Sequence, residues 1–508
     1  MKGVLTLDPA IIGRLREALG RAGYVHDTVA AVLGPVAHRA LARNETLPGL
    51  RATPGGSPVE TLTRLWPLQA PVPEPALEEA LPGLVDPLCQ AGILVRGGDD
   101  RGHAMVRAAV DVRPYADDSH DWWVVSDLTP GMDGARAPMD PAHVLGVSPA
   151  STSLAQLTVR RSVDRAWDLG TGCGVQALHL TGHARTVVAT DVNDRALRMA
   201  RLTAALNAAQ VDLRNGSLFE PVRGERFDLV VSNPPFVVSP GPDGSALSGT
   251  TGQRLVYRDS GLPGDEVVRR VVTGIPGHLT AGGVGQVLAN WAHVAGQPWQ
   301  ERIAGWLHDS GCDAWVVQRE VADPAEYVEL WLKDAGLYGG PEYRQRYDVW
   351  LSWFAEQRIE GIGFGWINLH RTDRDHPDVR AEEWPFEVEQ PLGPEVAAWV
   401  RRTDGDPGDF LDRRLVVRAD VRQETVGTPG AADPEVVLLR QQRGMRRARQ
   451  VDTATAAAVG ACDGELTLGA ILDAVAQVLD QPADQIRERL RNTIRELAVD
   501  GFFEEDLR

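Results

Sequence analysis

The stretch AWDLGTGCG at residues 166–174 joins a short apolar strand to a turn with a glycine at every second position, and a helix-forming run follows it directly. Glycines let a backbone approach a ligand closely, and the start of a helix offers unpaired N–H groups to it. The next apolar strand, TVVAT at 186–190, is followed by Asp191, a carboxylate suited to accept hydrogen bonds from ribose hydroxyls. This pattern predicts a nucleotide-type ligand, a class that includes NAD.

A second signature, FDLVVSNPPF at 227–236, is an apolar strand that ends at Asn233 and is followed by two prolines. The prolines fix the chain just past the strand. An Asn-Pro turn that merely closes a strand is the simpler interpretation of such a pattern. The occurrence of both signatures in one α/β segment favours a functional role.

The spacing D-x-G-x-G-x-G, which begins at Asp168, together with the NPPF strand end resembles the class I S-adenosylmethionine (SAM)-dependent methyltransferases. The NPPF end is similar to the branch that methylates planar nitrogens, namely the glutamine amide of release factors or the exocyclic amines of adenine, cytosine and guanine. Within this branch the likeness is strongest to release-factor glutamine methyltransferases. It rests on DLGTGCGVQAL, SNPPF and YRDSGLPGDEVVRRVV, and it covers about residues 145–290.

The resemblance implies that SAM is the cofactor and that it binds at the carboxyl ends of the strands. The residues that it assigns to the cofactor are Asp168, Gly170, Thr171, Gly172, Gly174, Asp191, Val192, Asn215, Ser217 and Asn233. Ser217 stands where the family has an acid that contacts the adenine amino group. Either Ser217 or Asn215 therefore makes a weaker contact, or the adenine is held chiefly by packing.

The resemblance makes Asn233, Pro234, Pro235 and Phe236 the expected catalytic residues. An amide or exocyclic amine nitrogen is a poor nucleophile because its lone pair is delocalised. The side-chain oxygen of Asn233 and the carbonyl of Pro234 can both accept its N–H groups and turn the lone pair toward the SAM methyl, so the proton leaves without a strong base. Phe236 is expected to lie flat on the planar substrate group.

The loop VLGVSPASTSLAQLTV lies just before the first strand, where the resembled family has a segment that closes over SAM and substrate. Thr152 and Ser153 are therefore candidates to contact the ligand, with Thr152 assigned to the substrate. As N-cap residues of a helix beginning at Ser153 they would also be expected without any ligand.

Alternating strands and helices predict an α/β fold with a Rossmann-like, doubly wound, mostly parallel sheet of seven strands. The expected strands lie near 165–169, 186–191, 210–214, 227–232, 283–290, 312–318 and 362–369. The predicted methyltransferase domain spans 146–384, with a helical insert at about 323–358 whose aromatic residues either pack helices together or line a substrate channel.

Two accessory domains are expected on either side of this core. Residues 1–145 are predicted to be mainly helical, with a winged-helix-like end made of a helix at 76–94 and strands at 103–115 and 121–128. Trp122 and Trp123 either stack on a base or peptide side chain, or place one ring in the core and one at its rim. Residues 385–508 are predicted to be winged-helix-like.

The C-terminal part also contains a basic cluster within LLRQQRGMRRARQ, made up of Arg440, Arg443, Arg446, Arg447 and Arg449. A formal net charge of −18 argues against broad, nonspecific contact with nucleic acid. The cluster is either a solvated surface or the best candidate to touch RNA or an acidic protein.

No apolar run reaches the roughly 18 residues that a membrane span needs, so we expect a cytoplasmic protein without a membrane anchor. The 4 cysteines (Cys89, Cys173, Cys312 and Cys462) are too far apart for a CxxC site and are expected to be reduced packing residues. His179 and His183 have a spacing that can bind zinc, but no third ligand is evident, so no metal is predicted.

The expected function is SAM-dependent N-methylation of a planar amide or amino nitrogen on a macromolecule. The leading acceptor is the N5 atom of a protein glutamine, and the alternative is an exocyclic amine of an rRNA or tRNA base. A third possibility, from another class, is a catalytically inactive SAM-binding regulator. The substrate itself and the oligomeric state are not specified by the sequence.

Overall fold

The computed structural model describes residues 5–134, 140–241, 261–372, 374–404, 410–430 and 434–504. The chain divides into two units, one made of Met1–Ala155 with Ser162–Trp384 and the other of Gln156–Arg161 with Pro385–Arg508. The boundaries expected at 145/146 and 384/385 stay predictions. Part of the motif YRDSGLPGDEVVRRVV, residues 257–260, lies outside the described residues.

The first unit begins with short helices and strands, which are α1 (Pro9–Arg21), α2 (His26–Leu41), α3 (Leu47–Ala52), α4 (Pro58–Leu65), β1 (Val72–Pro73), α5 (Glu74–Ala80), α6 (Val85–Gln90), β2 (Leu94–Gly98), β3 (Ala104–Ala108), β4 (Asp111–Ala116) and β5 (Asp121–Ser126). β3 pairs with β1 and β2, and β4 pairs with β5 in a separate ribbon.

Two expectations for this part are wrong. The single helix at 76–94 is broken into α5 and α6, because Pro82 follows the first and Gly83 adopts φ 64°. The single strand at 103–115 is two strands, β3 and β4, which belong to different sheets.

The rest of the first unit contains α7 (Pro149–Leu157), β6 (Val163–Leu169), α8 (Val175–Thr181), β7 (Ala184–Asp191), α9 (Asp194–Leu206), β8 (Asp212–Asn215), β9 (Phe227–Ser232), α10 (Glu266–Gly274), β10 (Leu279–Val294), α11 (Trp299–Leu307), β11 (Cys312–Ala322), α12 (Pro324–Asp334), α13 (Tyr343–Glu356), β12 (Ile359–Arg371) and β13 (Val379–Glu383). All seven predicted strands are present.

These strands form one sheet of 8 strands in the order β13-β11-β12-β10-β9-β6-β7-β8. β12 is antiparallel to β10 and β11, and the other pairs are parallel. The predicted Rossmann-like α/β sheet is confirmed, but the count of seven is wrong, since β13 adds an edge strand parallel to β11. The chain runs outward from β6 through β7 to β8 and then crosses to β9, so the strand order reverses between β6 and β9. Ligands bind at such switch points.

The N-terminal elements pack directly on the sheet helices α8 and α9. Val124 of β5 and Met199 and Leu202 of α9 belong to one buried apolar cluster. The β5 backbone is also bound by α9 side chains, since Val125 N donates to Thr203 Oγ1 at 2.9 Å and Asn207 pairs with both backbone groups of Trp123 at 3.0 and 2.8 Å. Hydrogen bonds and apolar packing therefore join this part of the chain to the sheet.

The second unit contains α14 (Gly393–Asp404), β14 (Val421–Val426), β15 (Val436–Gln441), β16 (Ala448–Val451), α15 (Thr453–Gly460), α16 (Leu468–Val478) and α17 (Ala483–Val499). β15 lies between β14 and β16 in an antiparallel sheet. The core of the second unit includes Phe502 and Phe503, which follow α17. In the described parts of both units, no helix combines the length and apolarity that a membrane crossing requires.

Candidate functional site

Three neighbouring strand ends bring the two sequence motifs together. Leu169, the last residue of β6, is in register with Thr190 of β7 on one side and with Ser232 of β9 on the other. The Ser232 hydroxyl donates to the Leu169 carbonyl at 2.8 Å, which ties the two ends. The residues that follow these ends, Gly170 and Asn233 among them, therefore meet at the switch point of the sheet.

The three glycines of the turn have different roles. Gly170, Gly172 and Gly174 all have positive φ (81°, 55° and 86°), a conformation that favours glycine. A Cβ at Gly170 or Gly172 would meet no protein atom within 4 Å, whereas a Cβ at Gly174 would lie 3.2 Å from Cα and Cβ of Ala200 on α9. The first two leave room for a ligand, and Gly174 allows α8 and α9 to approach.

Asp168 holds the turn from inside the protein. It is 1% exposed and accepts hydrogen bonds from Thr171 Oγ1 at 2.6 Å and from the Ala177 backbone N–H at 3.1 Å. Burial raises the pKa of this carboxyl to about 7. Asp168 therefore supports the glycine turn and the start of α8, and it is absent from the cavity wall.

Asp191 closes the second strand end beside the turn. Its two oxygens accept the backbone N–H groups of Gly172 at 2.9 Å and Asn193 at 2.8 Å. Burial raises the pKa of this carboxyl above its ordinary value. Asp191 also lines the cavity, so one carboxylate both shapes the glycine turn and faces the ligand space.

The end of β8 supplies Ser217 to the cavity and turns Asn215 away from it. Gly216, Ser217 and Leu218 line the wall. Asn215 instead donates from Nδ2 to Asp194 Oδ1 at 2.9 Å and to the Val192 carbonyl at 3.4 Å. Of the two residues proposed to replace the missing acid, the geometry favours Ser217.

A cavity of about 390 Å³ lies over these strand ends. The sequence-predicted residues that line it are Gly170, Thr171, Gly172, Asp191, Val192, Ser217, Asn233, Pro234 and Pro235. Those that do not line it are Thr152, Ser153, Asp168, Gly174, Asn215 and Phe236.

Asn233 places an unsatisfied acceptor at the wall of this cavity. Its Oδ1 atom is buried and has no hydrogen-bond partner in the part of the chain that the structure describes. A buried polar oxygen without a partner is costly and rare, so such an atom at a cavity wall indicates a missing ligand donor. Phe236 lies past the wall, where its ring and that of Trp331 form an edge-to-face pair with a centroid distance of 6.3 Å.

The segment before the first strand, which is expected to close over the ligand, does line the cavity, but through other residues than Thr152 and Ser153. His143, Val144, Gly146, Ser148 and Ser151 line the cavity.

This wall is held by the start of α7. Ser148 and Ser151 exchange hydrogen bonds, with Ser148 N to Ser151 Oγ at 2.7 Å and Ser151 N to Ser148 Oγ at 3.3 Å. Gln176 Nε2 on α8 donates to the Ser151 carbonyl at 2.7 Å. The expectation that the helix begins at Ser153 is wrong because it begins at Pro149, a residue favoured in the first turn; this proline is the signal that could have found it. Thr152 and Ser153 lie inside α7 rather than at its cap.

The aromatic and histidine candidates outside the cavity have structural partners. Trp122 is buried and stacks on His120 at 4.8 Å, while partly buried Trp123 donates from Nε1 to the Tyr24 carbonyl at 2.7 Å. His179 is buried, with Nε2 2.9 Å from the Tyr115 hydroxyl. Across the described residues, no three His, Cys, Asp or Glu side chains are grouped to hold a metal ion.

The basic cluster of the second unit is largely paired with carboxylates. Arg440 pairs with Glu424 at 2.7 Å, Arg446 with Glu387 at 3.4 Å, and Arg449 with Asp500 at 2.6 Å. Arg447 is 4% exposed and also faces Asp500, at 4.0 Å, whereas Arg443 is exposed. These pairs reduce the positive charge that the cluster presents to solvent.

Comparison with known families agrees with this geometry. Residues 146–256, which contain the glycine turn and the Asn-Pro-Pro-Phe strand end, match the family described as Methyltransferase small domain. Residues 21–109 and 395–505 match two families that are each described as a domain of unknown function, DUF7059 and DUF7782.

Among curated proteins, the release factor glutamine methyltransferase of Geobacter sulfurreducens is 34% identical over 158 residues, which cover 30% of this chain and 52% of that protein. The ribosomal protein uL3 glutamine methyltransferase of Bradyrhizobium diazoefficiens is 34% identical over 126 residues, 24% of this chain and 39% of that protein. The chain thus spans about half or less of the length of these relatives. Their similarity confirms the resemblance that the motifs predict.

Among solved structures, a methyltransferase from Pyrococcus furiosus is 15% identical, with 45% of this chain and 85% of that chain covered at a TM-score of 0.26.

Proposed function

We propose that this protein is a SAM-dependent N-methyltransferase that acts on a planar amide or amino nitrogen of a macromolecule, with glutamine N5 of a protein as the leading acceptor. The observation that carries the proposal is the buried Oδ1 of Asn233, which has no hydrogen-bond partner among the described residues and lies at the wall of a cavity that also contains the glycine turn and Asp191. An acceptor that lacks a donor suits a substrate that brings N–H groups.

The residues of the cavity suit SAM, which supplies a methyl group in this chemistry. Gly170 and Gly172 leave open space that a Cβ would fill, as expected for a backbone that a ligand approaches closely. The Asp191 carboxylate is half-buried at the end of β7 and lines the cavity, a place where ribose hydroxyls are commonly bound. Ser217 would contact the adenine in place of an acid, and the apolar side chains of Val192 and Leu218 would enclose it.

Asn233 would prepare the substrate nitrogen for attack. Its Oδ1 and the Pro234 carbonyl accept the two N–H groups of a primary amide or amine, so that the nitrogen lone pair points away from both acceptors. The two prolines restrict the backbone between them and thereby keep the directions of these acceptors fixed. The proton that the nitrogen loses passes to solvent. Phe236 is proposed to contact the planar group of the substrate from beyond the cavity wall.

A protein acceptor is preferred to RNA for two reasons. The curated relatives are named for glutamine methylation of a release factor and of a ribosomal protein. In this chain the net charge of −18 and the ion pairs of the arginine cluster both weaken attraction to phosphates. An RNA base amine is the second candidate, and its support is the exposed Arg443 within the cluster.

The flanking parts are proposed to recognise the macromolecule, with a winged-helix-like arrangement in the N-terminal helices and strands and again in β14–β16 with α15–α17. Thr152, one turn into α7 beside the cavity wall, is kept as a proposed substrate contact. The cytoplasm is the proposed location, because the curated relatives are named for glutamine methylation of a release factor and of a ribosomal protein, both of which belong to translation.

The test is transfer of a labelled methyl group from SAM to a lysate, with Asn233→Ala as the matched control. Label that protease removes, that nuclease leaves, and that mass spectrometry places on a glutamine supports the leading acceptor. Label that nuclease removes selects RNA instead. Binding of SAM without any transfer by the wild-type protein overturns the proposed activity in favour of a regulator.

A further inference from the structure

Within the described residues, the segment that follows Asn233 makes few backbone–backbone hydrogen bonds. Pro234 and Pro235 have no N–H to donate. Residues 233–238 form no regular secondary structure, and the next recorded bridge pairs Ser239 with Gly264. Side chains from elsewhere that bind this segment therefore help to fix the position of the Asn233 amide.

The helical insert between β11 and β12 supplies these side chains. The Val238 N–H donates to the Tyr327 hydroxyl of α12 at 2.8 Å, and Trp350 Nε1 of α13 donates to the Val238 carbonyl at 3.1 Å. Both backbone groups of one buried residue are thus bound by the insert. Val238, Tyr327 and Trp350 are 0%, 0% and 7% exposed, so water does not replace either bond.

The Tyr327 hydroxyl is itself fixed to the central sheet. It accepts a second hydrogen bond from Asn290 Nδ2 on β10 at 3.2 Å, and Asn290 is 2% exposed. The two lone pairs of this oxygen therefore connect β10 with the segment that follows Asn233. The ring packs with Trp350 and Phe354 in the apolar cluster that also contains Val238.

The insert also contacts the second loop of the cavity. The Gly264 N–H donates to the Ser239 carbonyl at 2.8 Å, and a Cβ on Gly264 would lie 3.7 Å from the Trp353 ring of α13. The neighbouring Asp265 accepts the Ala292 N–H at 2.9 Å and pairs with both terminal nitrogens of Arg302 at 2.6 and 2.7 Å. Both loops are thus attached to β10, the first through Tyr327 and Asn290 and the second through Asp265 and Ala292.

From these contacts we propose that α12 and α13 form a brace that positions Asn233, with Tyr327 as the positioning residue. The inference rests on the proposed function, because it assigns to the insert the task of keeping the Asn233 acceptor in place. Catalytic groups must be held to within about 0.5 Å of their working geometry, and loss of a supporting hydrogen bond loosens them.

The test is Tyr327→Phe, which removes one oxygen and leaves the ring in the cluster. We expect kcat to fall about tenfold or more, with the SAM dissociation constant and the KM for SAM within twofold of wild type. Tyr347→Phe is the matched control, because Tyr347 lies on the same insert but bonds Glu329 at 3.3 Å and not the Val238 backbone. It should keep wild-type kcat. Equal losses in the two variants, or unchanged kcat in Tyr327→Phe, would overturn the proposal.

A double variant separates positioning from general damage. If Tyr327 acts through Asn233, then Tyr327→Phe should lower the residual turnover of Asn233→Ala by less than twofold. A full tenfold loss in that background would show that the effect is merely structural and would refute the proposal. Should Tyr327→Phe fail to fold, Trp350→Phe, which removes the donor to the Val238 carbonyl, carries the same expectations.

The proposed function is tested separately by Asn233→Ala alone. Normal turnover in that variant refutes the role of Asn233 and the brace with it. A strong loss in Asn233→Ala together with normal turnover in Tyr327→Phe refutes the brace only.

Discussion

Replacement of Gly172 and of Gly174 by alanine should separate binding from stability within one turn. Both residues have positive φ, so alanine costs about 1–2 kcal/mol of folding free energy at either position. At Gly174 the new Cβ would also lie 3.2 Å from Ala200, and overpacking of this kind adds about 1–3 kcal/mol. At Gly172 the Cβ would meet no protein atom within 4 Å and would occupy cavity space instead.

We therefore expect Gly174→Ala to lower the melting temperature more than Gly172→Ala does, while its affinity for SAM stays within about threefold. Gly172→Ala should weaken SAM at least tenfold, or about 1.4 kcal/mol. The measurements are thermal unfolding without ligand and titration calorimetry with SAM. The reverse pattern, with SAM binding lost in Gly174→Ala and kept in Gly172→Ala, would refute the assignment of the two glycines.

Three further outcomes are expected. Asn233→Ala should lower turnover by at least about 100-fold while the SAM dissociation constant, measured by calorimetry, changes only a few-fold; near-normal turnover would contradict the mechanism. Burial raises the pKa of Asp168 to about 7, above an unfolded value of about 3.9, so its contribution to stability is lost as pH rises between these values. The free energy of unfolding, measured with urea, should therefore fall between pH 5 and pH 7 by about 2 kcal/mol less in Asp168→Asn than in the wild type. The same fall in both proteins would contradict the assigned pKa. Replacement of Arg443 and Arg446 by alanine should raise the KM for the macromolecule without altering SAM binding. If the substrate is RNA, each lost phosphate contact should also flatten the salt dependence of binding by about one unit of slope. Binding curves that coincide for the variant and the wild type across a salt series would show that the cluster is only a solvated surface.

The core of the site could be predicted because each motif is a continuous stretch that ends a buried strand. Gly170 and Asn233 follow β6 and β9, Asp191 is the last residue of β7, and parallel strands bring such ends together at a switch point. Alternation of apolar strands and helices was enough to place the seven main strands.

The rest depends on contacts between distant parts of the chain. β13 has the polar sequence VRAEE, which does not indicate a strand by itself. It is a strand because it pairs with the edge of β11. The wall around Ser148 and Ser151 depends on Gln176 of another helix. Asn215 and Ser217 are two residues apart, and only the structure shows that the first turns toward Asp194 while the second faces the cavity.

The attachment of β5 to α9 has a practical consequence for anyone who prepares fragments of this protein. A fragment that begins at residue 146, where the match to the methyltransferase family starts, would leave Met199 and Leu202 of α9 in water. It would also remove the backbone partners of Thr203 and Asn207. Such a fragment is expected to aggregate on expression, whereas one that keeps the preceding strands and helices would retain its apolar covering.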